Sequence, residues 1–140
     1  MTSTPVVQSY SNWLDAPQTP GDWSYRQDAS GSMASFGEDN SGARFALRCF
    51  ATTREIGIMR AGVAQRELVM RIRTETGDRT LTVSPAGNAL PMVETRVVAR
   101  DPMFDAMAIT KGRFAVEVEN MPALYIPSWT EVSRVIEDCR

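Results

Sequence analysis

From Asp22 onward the chain repeats one signature, a few residues in which apolar and polar positions alternate, then a cluster of turn formers. In DWSYRQD, Trp23 and Tyr25 share one row while Ser24 and Arg26 share the other. In RFALRCF, Phe45, Leu47 and Cys49 oppose Arg44, Ala46 and Arg48. ELVMRIR repeats the device, with Leu68, Met70 and Ile72 set against Val69, Arg71 and Arg73. Ile56 and Ile58, then Thr80–Val83, then Met92 to Val98 continue it. Successive strand side chains point to opposite faces, so a period of two predicts strands with one buried row. The turns fall at Ala29–Gly31, Gly37–Gly42, Thr76–Asp78 and the stretch SPAGNALP. Met33, in SMASF between the first two turns, is aligned with the inward row. Short strands at this spacing predict an all-β fold, an antiparallel β-sandwich with a short internal helix and a C-terminal helix. Residues 1–20, with Pro5, Pro17 and Pro20, read as an extended arm pinned by Tyr10 and Trp13, and 21–140 as a single domain.

Two segments leave the period of two. Asp101 followed by Pro102 is an N-cap and first-turn pair, which starts a short helix through DPMFDAMA. At the end of the chain, Ser128 and Glu131 have the spacing of a capping box. Trp129, Val132, Val135, Ile136 and Cys139 then recur at helical spacing, an apolar stripe that docks the last helix. Trp129 is the largest side chain of that stripe, and its removal is expected to cost as much as a core tryptophan. Cys139 ends the stripe, and Cys49 lies on the inward row of a central strand. A Cys49–Cys139 disulfide would tie down the chain end; the alternative is two buried thiols. An unbridged last turn frays, which favours the bridge.

Composition narrows function mainly by exclusion. The chain has 140 residues, a net charge of −2 and a pI near 5.2, without the basic footprint that nucleic acid or an anionic membrane calls for. No apolar run approaches the ~18 residues of a membrane span. Histidine is absent, which removes the usual neutral-pH base, the Ser-His-Asp arrangement and the commonest zinc ligand. Neither a metal site nor a cofactor is expected. MTSTPVVQSYSNW lacks the charged start and apolar stretch of a signal peptide, so the chain is either cytosolic or has Met1 in place of a removed leader. A structural disulfide persists in the periplasm and is rare in a reducing cytosol, and this decides for export.

The remaining candidates are few. Arg48, Arg71 and Arg73 fall on outward rows, a basic stripe for an acidic polymer or carboxylate partner. An ordinary solvated face, with Glu55, Glu67 and Glu75 as cross-strand partners, is the alternative. Trp13, in the arm, is the tryptophan left open for a glycan or small molecule. Asp101, Asp105, Glu137 and Asp138 are the carboxylates on which an acid/base hydrolase would draw, though a cap and an exposed helix surface explain them equally. Lys111 is the only lysine beside fourteen arginines and sits in a turn. Ser84, Ser128 and Ser133 have no base to activate them, and no catalytic residue is assigned.

The segments ALRC (46–49), VMRIRTETGDR (69–79), VVARDPMFDAMAITKGRFAVEV (97–118) and LYIPSWTEVSRVIEDCR (124–140) resemble a group of uncharacterised exported alphaproteobacterial proteins. More distantly, the order of parts resembles the invasion-associated locus B family and the VasI-like accessory proteins of type VI secretion. The resemblance implies an exported β-sandwich protein with a removed signal peptide and carries over no catalytic residue. The expectation is a periplasmic, non-enzymatic cell-envelope protein that binds another protein or stabilises an assembly.

Overall fold

A computed structural model describes residues 13–38, 42–86 and 91–140. After a one-turn 3-10 segment, Trp13–Asp15, come β1 (Asp22–Asp28), β2 (Gly31–Gly37), β3 (Phe45–Phe50), β4 (Glu55–Ala61), β5 (Leu68–Thr74), β6 (Gly77–Ala86) and β7 (Met92–Val98). Then follow α1 (Pro102–Ile109), β8 (Arg113–Val118), β9 (Leu124–Pro127) and α2 (Thr130–Asp138). The expected helix at Asp101 is present, with its carboxylate accepting from Met103 N at 2.9 Å and Pro102 opening the first turn.

Among the described residues, nine strands join one antiparallel sheet in the order β1-β2-β3-β4-β7-β6-β5-β8-β9. This departs from the two facing sheets of the expected sandwich, and the reason is β6. Over Gly77–Val83 this strand pairs with β5, and over Ser84–Ala86 it pairs with β7. It therefore belongs to both halves and carries the curl from one to the other. The curl brings distant strands together: the rings of Phe45 (β3) and Phe114 (β8) meet at 5.7 Å. The two sheet edges also meet, where Trp23 Nε1 on β1 donates to Pro127 O on β9 at 2.7 Å. An edge strand exposes unpaired backbone groups. At β9 the arm covers them: Thr19 N donates to Tyr125 O (2.9 Å) and Thr19 Oγ1 accepts from Tyr125 N (2.8 Å).

The inward rows follow the alternation, with Phe45, Leu47, Cys49, Ile56, Ile58, Met70, Ile72 and Val93 all buried. In β2 the inward row is Ser32, Ala34 and Phe36, so Met33 faces outward, contrary to the expectation from the sequence. Phe36 decides the register, because one face must bury a full aromatic ring. Both helices complete the same core, α1 with Met103, Phe104 and Met107, α2 with Val132, Val135 and Ile136.

The start of α2 differs from the capping box. Trp129 occupies the N-cap position, and no side chain caps the helix. The Ser128 hydroxyl instead donates to Met107 O (2.7 Å) and lies 3.2 Å from Ala108 O, satisfying carbonyls that α1 leaves open at its own end. Trp129 precedes the helical frame and is 42% exposed, so it is not the anchor of α2. Chemical denaturation of Trp129→Ala is accordingly expected to show a change in stability of no more than about 0.5 kcal/mol, the range of surface substitutions.

Candidate functional site

The described surface is organised around the junction of the last helical turn with β3. Cys49 and Cys139 are bridged, with Cα atoms 5.5 Å apart across 90 positions of sequence. Both are 1% exposed, as the strand alternation and the helical stripe predict. The bridged sulfur of Cys139 lies 3.3 Å from Glu55 O, a close contact rather than a hydrogen bond, since a disulfide sulfur carries no proton. Around it the chain end is held by polar contacts. Asp138 Oδ2 accepts from Ser32 Oγ at 2.8 Å and from the Tyr25 hydroxyl. The Arg134 guanidinium lies over the Tyr25 ring at 4.0 Å. Arg140 donates from Nε to Ala99 O (2.8 Å) and forks onto the Asp105 carboxylate (2.6 and 3.1 Å), which holds Asp105 below the usual carboxylate range.

A cavity of about 380 Å³ opens beside this junction, lined by Gln27, Asp28, Ser32, Cys49 and Asp138 among others. Asp28 belongs to the β1–β2 turn, where Oδ1 accepts from Ser30 N (3.0 Å), Gly31 N (3.1 Å) and Ser30 Oγ (2.8 Å). Gly31 has φ +150°, and a Cβ there would lie 2.0 Å from Cys49 O, so only glycine lets the turn close on β3. The Ser30 hydroxyl, then Arg48 at 3.0 Å, pull the Asp28 carboxyl down to about 2. A folded-state value below the unfolded one stabilises above about pH 4, and that contribution is lost as pH falls toward 2. A carboxyl-carbon NMR titration is expected to show Asp28 ionised at pH 3, and a midpoint near 4 would contradict the clamp.

The three candidate arginines do not form one stripe. Arg48 lies on β3, whereas Arg71 and Arg73 lie on β5, with β4, β7 and β6 between the two strands. Arg71 forks onto Glu117 (2.7 and 2.6 Å), and Arg73 reaches Glu117 (3.4 Å) and Asp78 (3.6 Å). The paired, solvated face is the better description of β5, although its partners are Asp78 and Glu117 rather than Glu67 and Glu75. Trp13 is not open either. It is buried against Ala16, Ala115 and Tyr125, with the Arg73 guanidinium 5.9 Å from its ring centre. Arm packing against β8 and β9 is a long-range contact that strand periodicity does not encode. Tyr10, the other expected pin, lies outside the described residues.

The carboxylates considered for acid/base chemistry take separate structural places. Asp101 caps α1 and binds Arg79 through two contacts (2.6 and 2.7 Å); that arginine, opposed by burial and aided by the cap, lowers its pKa. Asp105 serves Arg140, Asp138 serves Tyr25 and Ser32, and Glu137 is exposed. Lys111 is exposed in its turn. Among the described residues, no group of three or more His, Cys, Asp or Glu is placed to hold a metal ion, and no helix is long and apolar enough to cross a membrane.

Two features depart from the sequence reading, which set Arg60 beside the outward arginines and assigned no partner to Phe50. Arg60 is 5% exposed on the inward row of β4, donating to Ala61 O and, at 2.5 Å, to Pro122 O in the β8–β9 turn. Burial, then the charge of Arg44, push its pKa down to about 10, so it remains charged at neutral pH. On the outer face, Phe50 lies across Gly57, whose missing Cβ would sit 2.8 Å from the ring. The Arg96 guanidinium stacks on the same ring at 3.7 Å, with Arg48 at 5.7 Å. The glycine opposite Arg48 was the available sequence signal, since glycine in a strand marks a close approach. Compared with family models, curated proteins and solved structures, the chain finds no match.

Proposed function

We propose that this chain is an exported cell-envelope protein that binds another protein or stabilises an assembly, without a catalytic role. The observation that carries the reading is the Cys49–Cys139 bridge, which fastens the last turn of α2 to a central strand. A bridge in this position suits an oxidising compartment, because cytosolic thiol buffers keep such pairs reduced. The resemblance of the IPSW…RVIEDC ending to exported proteins with removed leaders points the same way. The non-catalytic part rests on the carboxylates: Asp101, Asp105 and Asp138 are engaged in a cap, an ion pair and a hydroxyl contact at different places in the fold, and Glu137 lies exposed on α2. Fractionation of native cells tests the location, with immunodetection after thiols have been trapped by alkylation at lysis. The protein is expected in the periplasmic fraction; recovery in the cytosolic fraction would overturn the proposal.

A further inference from the structure

The outer face of the five strands β1, β2, β3, β4 and β7 carries a row that crosses the sheet at right angles to the strands. Register places Arg26, Met33, Arg48, Gly57 and Arg96 opposite one another in that order. Neighbouring strands are about 4.8 Å apart, so Arg48 stands roughly 10 Å from both Arg26 and Arg96, which are about 19 Å from each other along the sheet. The adjoining row adds Phe50 and, beyond Glu55, the 57% exposed Val98.

We infer that this row is a docking surface for a partner protein, which it contacts through an acidic segment; the inference rests on the protein-binding reading above. Three observations carry it. First, Arg26 and Arg96 form no ion pair with any described residue, while Arg48 already has Asp28. Second, the Arg96 guanidinium carbon lies 3.7 Å from the centre of the Phe50 ring, a cation–π contact that restrains the side chain before any partner arrives. A guanidinium restrained in advance loses less entropy when it forks onto a carboxylate, and arginine does this where lysine cannot. Third, the row presents arginine, methionine and an aromatic ring, types enriched where proteins meet, with Ser24 and Ser35 on the row beside it. Glu55 and Glu94 flank the row and set a limit on what binds. A diffuse polyanion would be repelled by them, whereas carboxylates spaced to reach Arg26 and Arg96 with apolar residues over Phe50 and Val98 would not.

The test uses the full chain and a labelled synthetic peptide of alternating glutamate and leucine. A glutamine-leucine twin and inorganic polyphosphate are the comparison arms. Binding is read by fluorescence anisotropy at 150 mM salt and mapped by amide and arginine Nε NMR shifts. The acidic peptide is expected to bind and to shift resonances of β3, β4 and β7. Arg96→Gln should weaken it at least tenfold, while Arg71→Gln, which removes an equal charge from the paired face of β5, should change it less than twofold. Equal losses in the two variants, equal binding of the twin or of polyphosphate, or no peptide binding would overturn the assignment. Shifts confined to another face would also overturn it while leaving the protein-binding reading intact. The unfolding midpoint of each variant, expected within 2 °C of the parent, shows that the loss belongs to the surface.

Discussion

Replacing Cys49 and Cys139 by serine is expected to cost about 4.6 kcal/mol, the chain-entropy value for a loop of 90 positions. That is a large share of the 5–15 kcal/mol by which domains are typically stable. The free energy enters through the unfolded chain, which the bridge prevents from expanding between β3 and the terminus. The helix keeps its own reason to dock, because Val132, Val135 and Ile136 bury an apolar stripe that does not depend on a covalent bond. The double variant is therefore expected to fold to the same sheet, with a lower denaturant midpoint and faster exchange in the amides of the last turn. The same loss should follow reduction of the parent protein. A midpoint unchanged in both would mean that the bridge does not constrain the unfolded state.

Trp23→Ala is expected to be comparably damaging, at about 3–5 kcal/mol for loss of a core tryptophan. Trp23 packs edge-on against Phe36 (5.5 Å) and Phe45 (6.3 Å), and its indole N–H is the contact that joins the first strand to the last. Trp23→Phe separates these contributions. It keeps most of the aromatic packing but leaves Pro127 O without its donor, a loss of roughly 1 kcal/mol. Chemical denaturation of both variants gives the comparison directly. If the phenylalanine variant were as unstable as the alanine one, the meeting of the sheet edges would depend on the hydrogen bond rather than on packing.

The contrast between Trp23 and Trp129 shows what the sequence encodes and what it leaves to the fold. Trp23 sits within a run of period two, where a single buried face fixes the register of every residue, and it was legible. Trp129 sits one position before α2, where extending the helical stripe backward assigned it a face that the extended N-cap backbone does not have. Ser128 failed as a capping residue for a related reason. Its hydroxyl is engaged by α1, twenty residues earlier, and such competition cannot be read from S-x-x-E alone. The arginines expose the larger gap. Alternation correctly put Arg48, Arg71 and Arg73 on outward rows, but it says nothing about strand order, and the order β4-β7-β6-β5 separates them. The same ignorance of order produced the expectation of two facing sheets. The cysteine pair was legible because each residue ended an independent apolar pattern, one of strand period and one of helix period, and both patterns required burial.

Whether Cys49 and Cys139 are joined in the protein as its cell makes it decides both the tying of the chain end to β3 and the proposed oxidising compartment. Intact mass settles this when protein isolated from its native compartment is denatured in an alkylating reagent, with and without prior reduction. The bridge predicts no added mass without reductant and two adducts after it. Two adducts in the unreduced sample would contradict the bridge and, with it, the case for export.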